Sequence, residues 1–468
     1  MTAPWDRRSP KEQRRVADLV LARWLPLVTS AAPMWEHRAA AEGLHPRELA
    51  SVEALAGLPP VREADLLGTA PGAPDAVVRP SEEQVKSYGG SDLVGRIIGG
   101  IRREGATGKR RVILQEYQPV DLRRAGASAE QVVIASSRSD LDRLNRVGAR
   151  AAALLDLDER DVLLSAVPLG PTLDAARVVH LGQGASITTL HARGHGDDLD
   201  DVARAAMLVP ASAVLVPIDD ALDLARTLAE HRVALPRLER VVTYGPPPED
   251  DLRHRVADAF GTVSSSRVEV RALWGPPFGR TMWAECASGE GLHTTPDLEH
   301  LEVVDPITAE PTTADGDLTL TTLGWHGTAL LRLRTGAWVD PLRVEPCPGC
   351  ARTVPRLVGE IAPWAWQLPM RGDDWQPRTV DLRGVPAVLQ HLHGVTAWRA
   401  EVRGPNERVP RDRLLVEVAG DLGRAERSGL EQRLEAACGI AVHLAVGVHR
   451  DEVERAIDDF GGVFADLR

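Results

Sequence analysis

The stretch AVLVPIDDALDLARTLAEHRVALPRLERVVTYG, residues 213–245, decides the fold class of this chain. It contains two short apolar runs, AVLVPI and RVVTYG, which are separated by the helical pattern ALDLARTLAEH. Apolar runs of about four to eight residues that alternate with amphipathic helices are typical of parallel βαβ units, whose strands are buried on both faces. Because the alternation extends from about residue 130 to Trp274, the sequence predicts an α/β domain with a parallel sheet.

The pattern changes on both sides of this region. Residues 10–60 predict two or three amphipathic helices that wrap the outside of the domain. After Trp274, short alternating runs such as GDLTLTTLG predict a β-rich subdomain at about 280–360, and the Pro- and Trp-rich residues 363–378 are interpreted as a linker. The last part of the chain predicts a small α+β domain of the split βαβ kind. Its range, residues 365–468, overlaps most of the linker.

Charge and composition exclude several classes of partner. A net charge of −12 opposes binding to nucleic acid, and no block of basic residues is long enough to reverse this locally. No apolar run approaches the length of about 18 residues that a membrane span requires. We therefore expect a cytoplasmic protein that binds neither nucleic acid nor membrane. Lysine occurs only at Lys11, Lys86 and Lys109, so few lysines are available for chemistry.

The cysteines have the spacing of a metal site. Cys347 and Cys350 form a C-x-x-C turn, and Cys286 is followed seven residues later by His293. Three sulfurs and one nitrogen make the four-ligand set that structural zinc prefers. The alternative is a redox C-x-x-C beside a packed cysteine and a surface histidine, although Pro- and Gly-rich flanks are unlike the helix start of a redox motif. Cys438 is interpreted as a packed helix cysteine.

Three segments together resemble the phenylacetate-CoA ligases of the adenylate-forming, AMP-dependent synthetase superfamily. They are MWAECASGEGLHTTPDLEHLEVVDPITAEPTTADGDLTLTTLGWHGTALLRLRTG (residues 282–336), EPCPGCARTVPRL (345–357) and the terminal FADLR (464–468). The resemblance is specific in residues 280–360 and weaker over about 120–280 and the C-terminal domain, whereas residues 80–120 look like an insertion.

The resemblance implies both an architecture and a reaction. The expected fold is a large multi-layer α/β domain of adenylate-forming type, residues 1–360, followed by a small mobile α+β domain, residues 365–468. In the family a carboxylate attacks the α-phosphate of ATP with magnesium present, and coenzyme A then displaces AMP. Some members bind zinc near the equivalents of the Cys/His set, which supports a structural zinc here.

Two segments compete for the family's phosphate loop, Ser-Ser-Gly-Thr-Thr-Gly-Lys-Pro. EGATGKR, residues 104–110, matches its Gly-x-Thr-Gly-Lys centre, but the expected strand, long helix and strand do not follow it. RAGASAEQ, residues 124–131, is followed by that layout and keeps Gly126 and Ser128, but it has Glu130 in place of the lysine. The layout favours the second segment, in which a carboxylate would repel a triphosphate.

The other family motifs also differ at their charged positions. The adenine-contacting Gly-Ala-Glu-Pro corresponds to Tyr244–Pro248, which keeps Gly245, and the magnesium-binding Tyr-Gly-x-x-Glu corresponds to LWGPPFG, which keeps Trp274 and Gly275 but has Phe278 near the place of the glutamate. The ribose motif keeps Arg332, Arg334 and Thr335 but has Ala337 in place of aspartate. No lysine follows Lys109, so the family's C-terminal catalytic lysine is missing.

These differences leave two functions open. In the first, the chain is a relative of the carboxylate-CoA ligases that has lost or altered adenylation and has kept a binding or regulatory role for a nucleotide or small acid. In the second, it is an active carboxylate-CoA ligase that uses ATP, magnesium and CoA, with Lys109, Glu285 and Asp340 as displaced substitutes. Removing one preorganised charge of this kind costs roughly 10²- to 10³-fold in rate, so several losses together favour the first.

Overall fold

The computed structural model describes residues 4–45, 48, 49, 51–67, 75–88, 91–125, 132–194, 198–363, 367–371, 376–389, 392, 394–405, 411–427, 429–460 and 464–466. Within these ranges no helix is long and apolar enough to cross a membrane.

The helices and strands of the chain have the following bounds. The helices are α1 (Pro10–Ala31), α2 (Pro33–Ala41), α3 (Val52–Leu55), α4 (Glu63–Leu67), α5 (Glu82–Tyr88), α6 (Ser91–Tyr117), α7 (Arg138–Leu155), α8 (Leu173–Ala185), α9 (Leu199–Ala206), α10 (Ala221–Glu230), α11 (Asp250–Gly261), α12 (Gly384–Leu389), α13 (Arg424–Arg427), α14 (Leu430–Cys438) and α15 (Arg450–Phe460). The strands are β1 (Pro119–Ala125), β2 (Val132–Ser137), β3 (Val162–Ser165), β4 (Thr188–His191), β5 (Ala213–Pro217), β6 (Arg240–Tyr244), β7 (Glu269–Trp274), β8 (Trp283–Glu285), β9 (Leu292–His293), β10 (Glu299–Val304), β11 (Gly316–Thr322), β12 (Leu333–Val339), β13 (Arg356–Leu357), β14 (Ile361–Pro363), β15 (Gln367–Arg371), β16 (Pro377–Asp381), β17 (Val395–Arg403), β18 (Arg413–Gly420), β19 (Val442–Val446) and β20 (Phe464–Asp466).

An eight-stranded sheet with the order β13-β9-β8-β7-β6-β5-β3-β4 forms the centre of the N-terminal part. Strands β3 to β7 pair in parallel, and β8, β9 and β13 extend the sheet antiparallel. Alternate residues of each strand face opposite layers of helices. Leu163 and Leu215 pack with α7 and α8, whereas Leu164 and Val214 pack with α9, α10 and α11. This three-layer arrangement confirms the predicted parallel α/β domain.

Strand β2 differs from the prediction. The apolar run around Ile134 was expected to start the parallel sheet, but β2 instead pairs antiparallel with β1 in a separate two-stranded hairpin. Its last four residues are buried against neighbouring elements, so the run has the composition of a central strand without lying in the central sheet. Helix α7 follows directly and is capped by Ser137, whose side chain accepts from the Asp140 N–H.

The β-rich subdomain is a four-stranded antiparallel sheet with the order β10-β11-β12-β14. Its third strand begins at Leu333, because Arg332 has a φ of 45° and breaks the extended backbone. The region predicted as β-rich is therefore built of strands, although β8, β9 and β13 join the central sheet.

The C-terminal part has its own mixed sheet, with the order β19-β18-β17-β20. Helix α14 connects the parallel strands β18 and β19, which is the predicted split βαβ arrangement. The linker interpretation is wrong for Gln367–Arg371, because this segment forms β15 and pairs with β16. Leu368 and Met370 are fully buried in the same apolar cluster as Val416, so these residues belong to the C-terminal core.

The N-terminal helices pack into the core of the α/β part and do not only cover it. The indole of Trp24 donates to the carbonyl oxygen of Trp325 at 2.7 Å, and that of Trp35 donates to the carbonyl oxygen of Ala329 at 2.8 Å. Both indoles are buried, so these contacts hold α1 and α2 against the segment that precedes β12.

Candidate functional site

The predicted Cys/His set comes together at the antiparallel edge of the central sheet. Cys286 follows β8, His293 lies in β9, and Cys347 and Cys350 lie in the turn before β13. Their four donor atoms all lie within 4.8 Å of one another. The Cys286 and Cys347 sulfurs are 3.8 Å apart, and the Cys350 sulfur is 3.6 Å from Nε2 of His293.

These distances fit a tetrahedral ion. Bonds of about 2.3 Å to sulfur and about 2.0–2.1 Å to nitrogen place two sulfurs about 3.8 Å apart, and a sulfur and a nitrogen about 3.5–3.6 Å apart. All three cysteines are free thiols, and burial, together with Arg352 and Arg356, lowers the pKa of His293 to about 4. A neutral imidazole is the form that binds metals. The cluster therefore has the composition and spacing of a four-ligand metal site, and its histidine is in the neutral form.

The turn that carries Cys347 and Cys350 is a knuckle and not a helix start. The Cys347 N–H donates to the carbonyl oxygen of Arg352, and the Ala351 N–H donates to that of Cys347, both at 2.8 Å. A Cβ at Gly349 would lie 2.1 Å from Cβ of Ser288, so only glycine fits this close approach. The redox alternative lacks the helix N-terminus that activates a C-x-x-C thiol.

Residues before α1 and in its first turn form hydrogen bonds and an ion pair with the cysteine turn. Asp6 forms a 2.7 Å ion pair with Arg352 and accepts, through its carbonyl oxygen, from the Thr353 N–H at 2.8 Å. The Gln13 amide donates to the carbonyl oxygen of Thr353 at 3.0 Å. The beginning of the chain and the cysteine turn thus form one unit, which sequence spacing did not indicate.

The predicted adenine and magnesium positions lie side by side at the carboxyl edge of the parallel sheet. Tyr244 and Gly245 follow β6, and Trp274 and Gly275 end its neighbour β7. Gly245 has a φ of 144°, and a Cβ there would lie 2.7 Å from the Ile218 side chain. Ligands of open α/β sheets bind at this edge, so the four residues are placed where a nucleotide pocket is expected.

A buried arginine from α8 occupies this edge. Arg177 is fully buried and forms a 2.5 Å ion pair with Asp174, which also accepts from the Tyr244 hydroxyl. Its guanidinium donates to the carbonyl oxygens of Gly275, Pro276 and Gly279. Sequence patterns gave little sign of Arg177, a charged residue that lies between apolar residues 175–176 and 178–179 of α8.

Glu285, the proposed substitute ligand for magnesium, binds Arg253 and the backbone of β7. Both of its oxygens pair with the Arg253 guanidinium, at 2.8 and 2.9 Å, and one also accepts from the Ala272 N–H at 2.7 Å. Ala272 precedes the end of β7, so the carboxylate lies back along the strand from Gly275. Phe278, in the glutamate's place, is buried.

Residues of the predicted ribose motif also make contacts within the protein. The Arg334 guanidinium lies 2.5 Å from a carboxylate oxygen of Asp317, which is buried. Burial raises the pKa of Asp317 to about 7, and Arg334 offsets only part of this effect. Ala337 is buried, whereas Asp340, the other proposed substitute, is exposed beyond the end of β12. Arg334 thus has a buried partner of its own.

The segment EGATGKR is helical and forms a reversal inside α6. Gly105 has φ 61° and ψ −140°, which divides α6 into a first arm, residues 91–104, and a second arm, residues 106–117. Lys109 pairs with Glu82 of α5. The segment therefore lies across a turn between two helical arms, and a strand does not follow it directly. The competing residues Gly126, Ser128 and Glu130 connect β1 to β2 and lie outside the described residues.

Comparison with solved structures identifies the fold. 2-Hydroxyisobutyryl-CoA ligase in the postadenylation state with 2-HIB-AMP matches with a TM-score of 0.66 at 17% identity, over 97% of this chain and 93% of that chain. An open conformation of that enzyme with 2-HIB-AMP and CoA matches with a TM-score of 0.65 at 16% identity, over 95% and 90% of the two chains. This chain has the fold of the adenylate-forming CoA ligases. No protein-family model and no curated protein sequence matches it.

The match to the adenylate-forming fold spans nearly the whole chain, so it includes both the sheet with its Cys/His cluster and the C-terminal part. In this fold the predicted adenine and magnesium positions converge, whereas the proposed substitutes Lys109, Glu285 and Asp340 lie on α6, on β8 and after β12. The predicted adenine and magnesium positions therefore lie together, whereas the charged side chains proposed as substitutes lie on separate elements.

Proposed function

We propose that this chain is a relative of the carboxylate-CoA ligases that binds a nucleotide or small acid but no longer carries out ordinary adenylation. The observation that carries the proposal is the set of contacts around Arg177. In the place where the family motif holds magnesium, a buried guanidinium bonds to the carbonyl oxygens of Gly275, Pro276 and Gly279. The guanidinium fills this place with bonds to the backbone, and its charge, which the Asp174 ion pair offsets only in part, disfavours a second cation beside it.

The surrounding charges support the same conclusion. The loop Glu130 has replaced the family's lysine, and Phe278 provides no carboxylate for a metal. The C-terminal part has no lysine, and its Arg450 pairs with Glu454 one turn away on α15. Adenylyl transfer from ATP needs a cation at the α-phosphate and a ligand for magnesium, and the residues that fill both roles in the family are replaced here.

A structural zinc completes the proposal. Cys286, His293, Cys347 and Cys350 form a closed set, and a closed set of four protein ligands stabilises a fold without leaving a position for substrate. The ion would join β8, β9 and the knuckle before β13, next to the edge of the main sheet.

The alternative is an active carboxylate-CoA ligase. It is favoured by the solved ligase structures, which hold an acyl-adenylate and CoA on the same fold. It requires Lys109, Glu285 or Asp340 to act at the sheet edge, yet Lys109 pairs with Glu82 and Glu285 pairs with Arg253.

The test is ATP–pyrophosphate exchange with a panel of aryl, short-chain and fatty acids. We expect no exchange above the level of a protein-free control, while AMP binding persists in calorimetry. Acid-dependent exchange that disappears in Glu285→Gln but persists in Glu290→Gln, a matched exposed glutamate, would support the active ligase and contradict the proposal.

A further inference from the structure

A groove with a volume of about 550 Å³ lies between the second arm of α6, the start of β1 and the start of α7. We call it the basic groove. Arg110, Arg111, Leu114 and Gln115 of the second arm form one wall, and Val120 and Arg138 form the other. Three arginines therefore surround one concave surface, and no carboxylate is among the described residues that line it.

Among the described residues, few carboxylates pair with these arginines. Arg111 lies 2.7 Å from Glu104, and both side chains are largely exposed, so that pair is weak. Arg110 and Arg138 are exposed and have no ion pair with any described residue. Glu116, a buried carboxylate of the second arm, pairs with Arg96 at 2.7 Å and with His326 at 3.0 Å.

The local charge contrasts with that of the whole chain. Residues 91–138 contain nine basic and five acidic side chains, whereas the chain carries a net charge of −12. The groove also lies at the start of α7, since Arg138 is the first residue of this 18-residue helix. The positive end of the helix dipole adds to the field of the three arginines.

Two of the residues that line the groove are apolar and well exposed. Leu114 and Val120 are 40% and 58% exposed, and Leu122, two residues further along β1, is 60% exposed. Arginine forks match phosphoryl oxygens in pairs of hydrogen bonds, and exposed aliphatic side chains gain from covering an apolar group. A ligand with a phosphoryl head and an apolar portion satisfies both features.

We propose that the basic groove binds a small organic phosphate whose apolar part lies along Leu114, Val120 and Leu122. The site is separate from the nucleotide positions of the fold, because Val120 lies at the far end of β1 from the connection that follows Ala125. The inference does not depend on the proposed loss of adenylation. Its ligand is held by arginines on the α6 hairpin and α7, and not by the sheet edge at Gly245.

Calorimetric titration of the full chain with monooctyl phosphate below its micelle concentration tests the proposal. We expect saturable binding, tighter than that of inorganic phosphate, which weakens as salt is added because the attraction is screened. Arg110→Gln and Arg138→Gln should each weaken binding roughly tenfold, whereas Arg102→Gln, an exposed arginine of the first arm outside the groove, should leave it unchanged.

Two further measurements distinguish the basic groove from the sheet edge and from a membrane surface as the binding place. Saturating AMP should not displace monooctyl phosphate, and displacement would place the ligand at the sheet edge and overturn the inference. If AMP does not bind at all, the proposed nucleotide-binding function loses its support. The proposal for the basic groove is then still tested by monooctyl phosphate binding to the Arg110→Gln and Arg138→Gln variants. Absence of saturable binding, or association only with phosphatidylglycerol vesicles and not with phosphatidylcholine vesicles, would overturn the inference, the latter in favour of a membrane surface.

Discussion

Gly108 lies against the backbone of Gly100 across the reversal of α6, and a Cβ on Gly108 would stand 2.1 Å from the Gly100 carbonyl oxygen. The glycines of EGATGKR therefore serve a close crossing of two helical arms and the turn between them. This contact explains why a segment with the letters of a phosphate loop folds as a helix hairpin.

The close contact between Gly108 and Gly100 predicts that alanine at position 108 destabilises the chain, although alanine has a higher helix propensity than glycine. Gly108→Ala should destabilise the chain by about 1–3 kcal/mol, because the methyl group meets backbone that cannot move aside. Gly99→Ala is the matched control, since nothing lies within 4 Å of its Cβ position, and it should stabilise by up to about 1 kcal/mol. Urea unfolding followed by circular dichroism measures both. Equal behaviour of the two variants would show that the arms do not cross at Gly100.

The Cys/His cluster predicts one zinc ion per chain. Metal analysis of protein purified without chelator should find nearly stoichiometric zinc, and Cys347→Ser should lose it together with roughly 3 kcal/mol or more of stability. Cys438→Ser is the control, because Cys438 packs in α14 among C-terminal residues and should retain the metal. Full zinc content in Cys347→Ser, or none in the unmodified chain, contradicts the assignment.

The charges at the sheet edge predict an unusual order of nucleotide affinities. AMP or adenosine should bind at least as tightly as MgATP, because neither a loop lysine nor a magnesium carboxylate offsets the charge of the triphosphate. Lys109→Ala should leave both affinities unchanged, since Lys109 lies on α6 and pairs with Glu82. Calorimetry gives both values, and tight MgATP binding that is lost in Lys109→Ala would refute this arrangement.

Glu116 predicts a pH dependence of stability. Burial alone would raise its pKa, but His326 and Arg96 hold the pKa at about 2, below the value of about 4.3 for an unfolded glutamate. The contribution is therefore complete above the unfolded pKa and is lost as the pH falls from about 4.5 towards 2; it amounts to about 3 kcal/mol at most. In urea unfolding, the gap between the unmodified chain and Glu116→Gln should narrow between pH 6 and pH 3. A gap that stays constant would show that this carboxylate is not stabilised by its neighbours.

Local patterns predicted the elements of the fold well, and pairings between distant residues poorly. The alternation around Ala213 and Tyr244 identified the parallel sheet because buried strands and amphipathic helices differ in period. The cysteine spacing predicted the Cys/His cluster because each pair lies within one turn or one hairpin. The pairing of Glu285, the proposed substitute ligand, was not foreseen because its partner Arg253 is 32 residues away and carries no local signal. The same reason hid Arg177, whose partners Gly275 and Gly279 lie about a hundred residues along the chain.

The contacts of Trp24 and Trp35 have a consequence for synthesis of the chain. Their indole partners are the carbonyl groups of Trp325 and Ala329, so the packing of α1 and α2 cannot be completed until almost three hundred more residues have left the ribosome. At roughly 5–20 residues per second this delay is about 15–60 s, during which the helices expose tryptophan and leucine side chains to the cell. Co-translational binding of a chaperone to the first forty residues is therefore expected to govern the yield of folded protein.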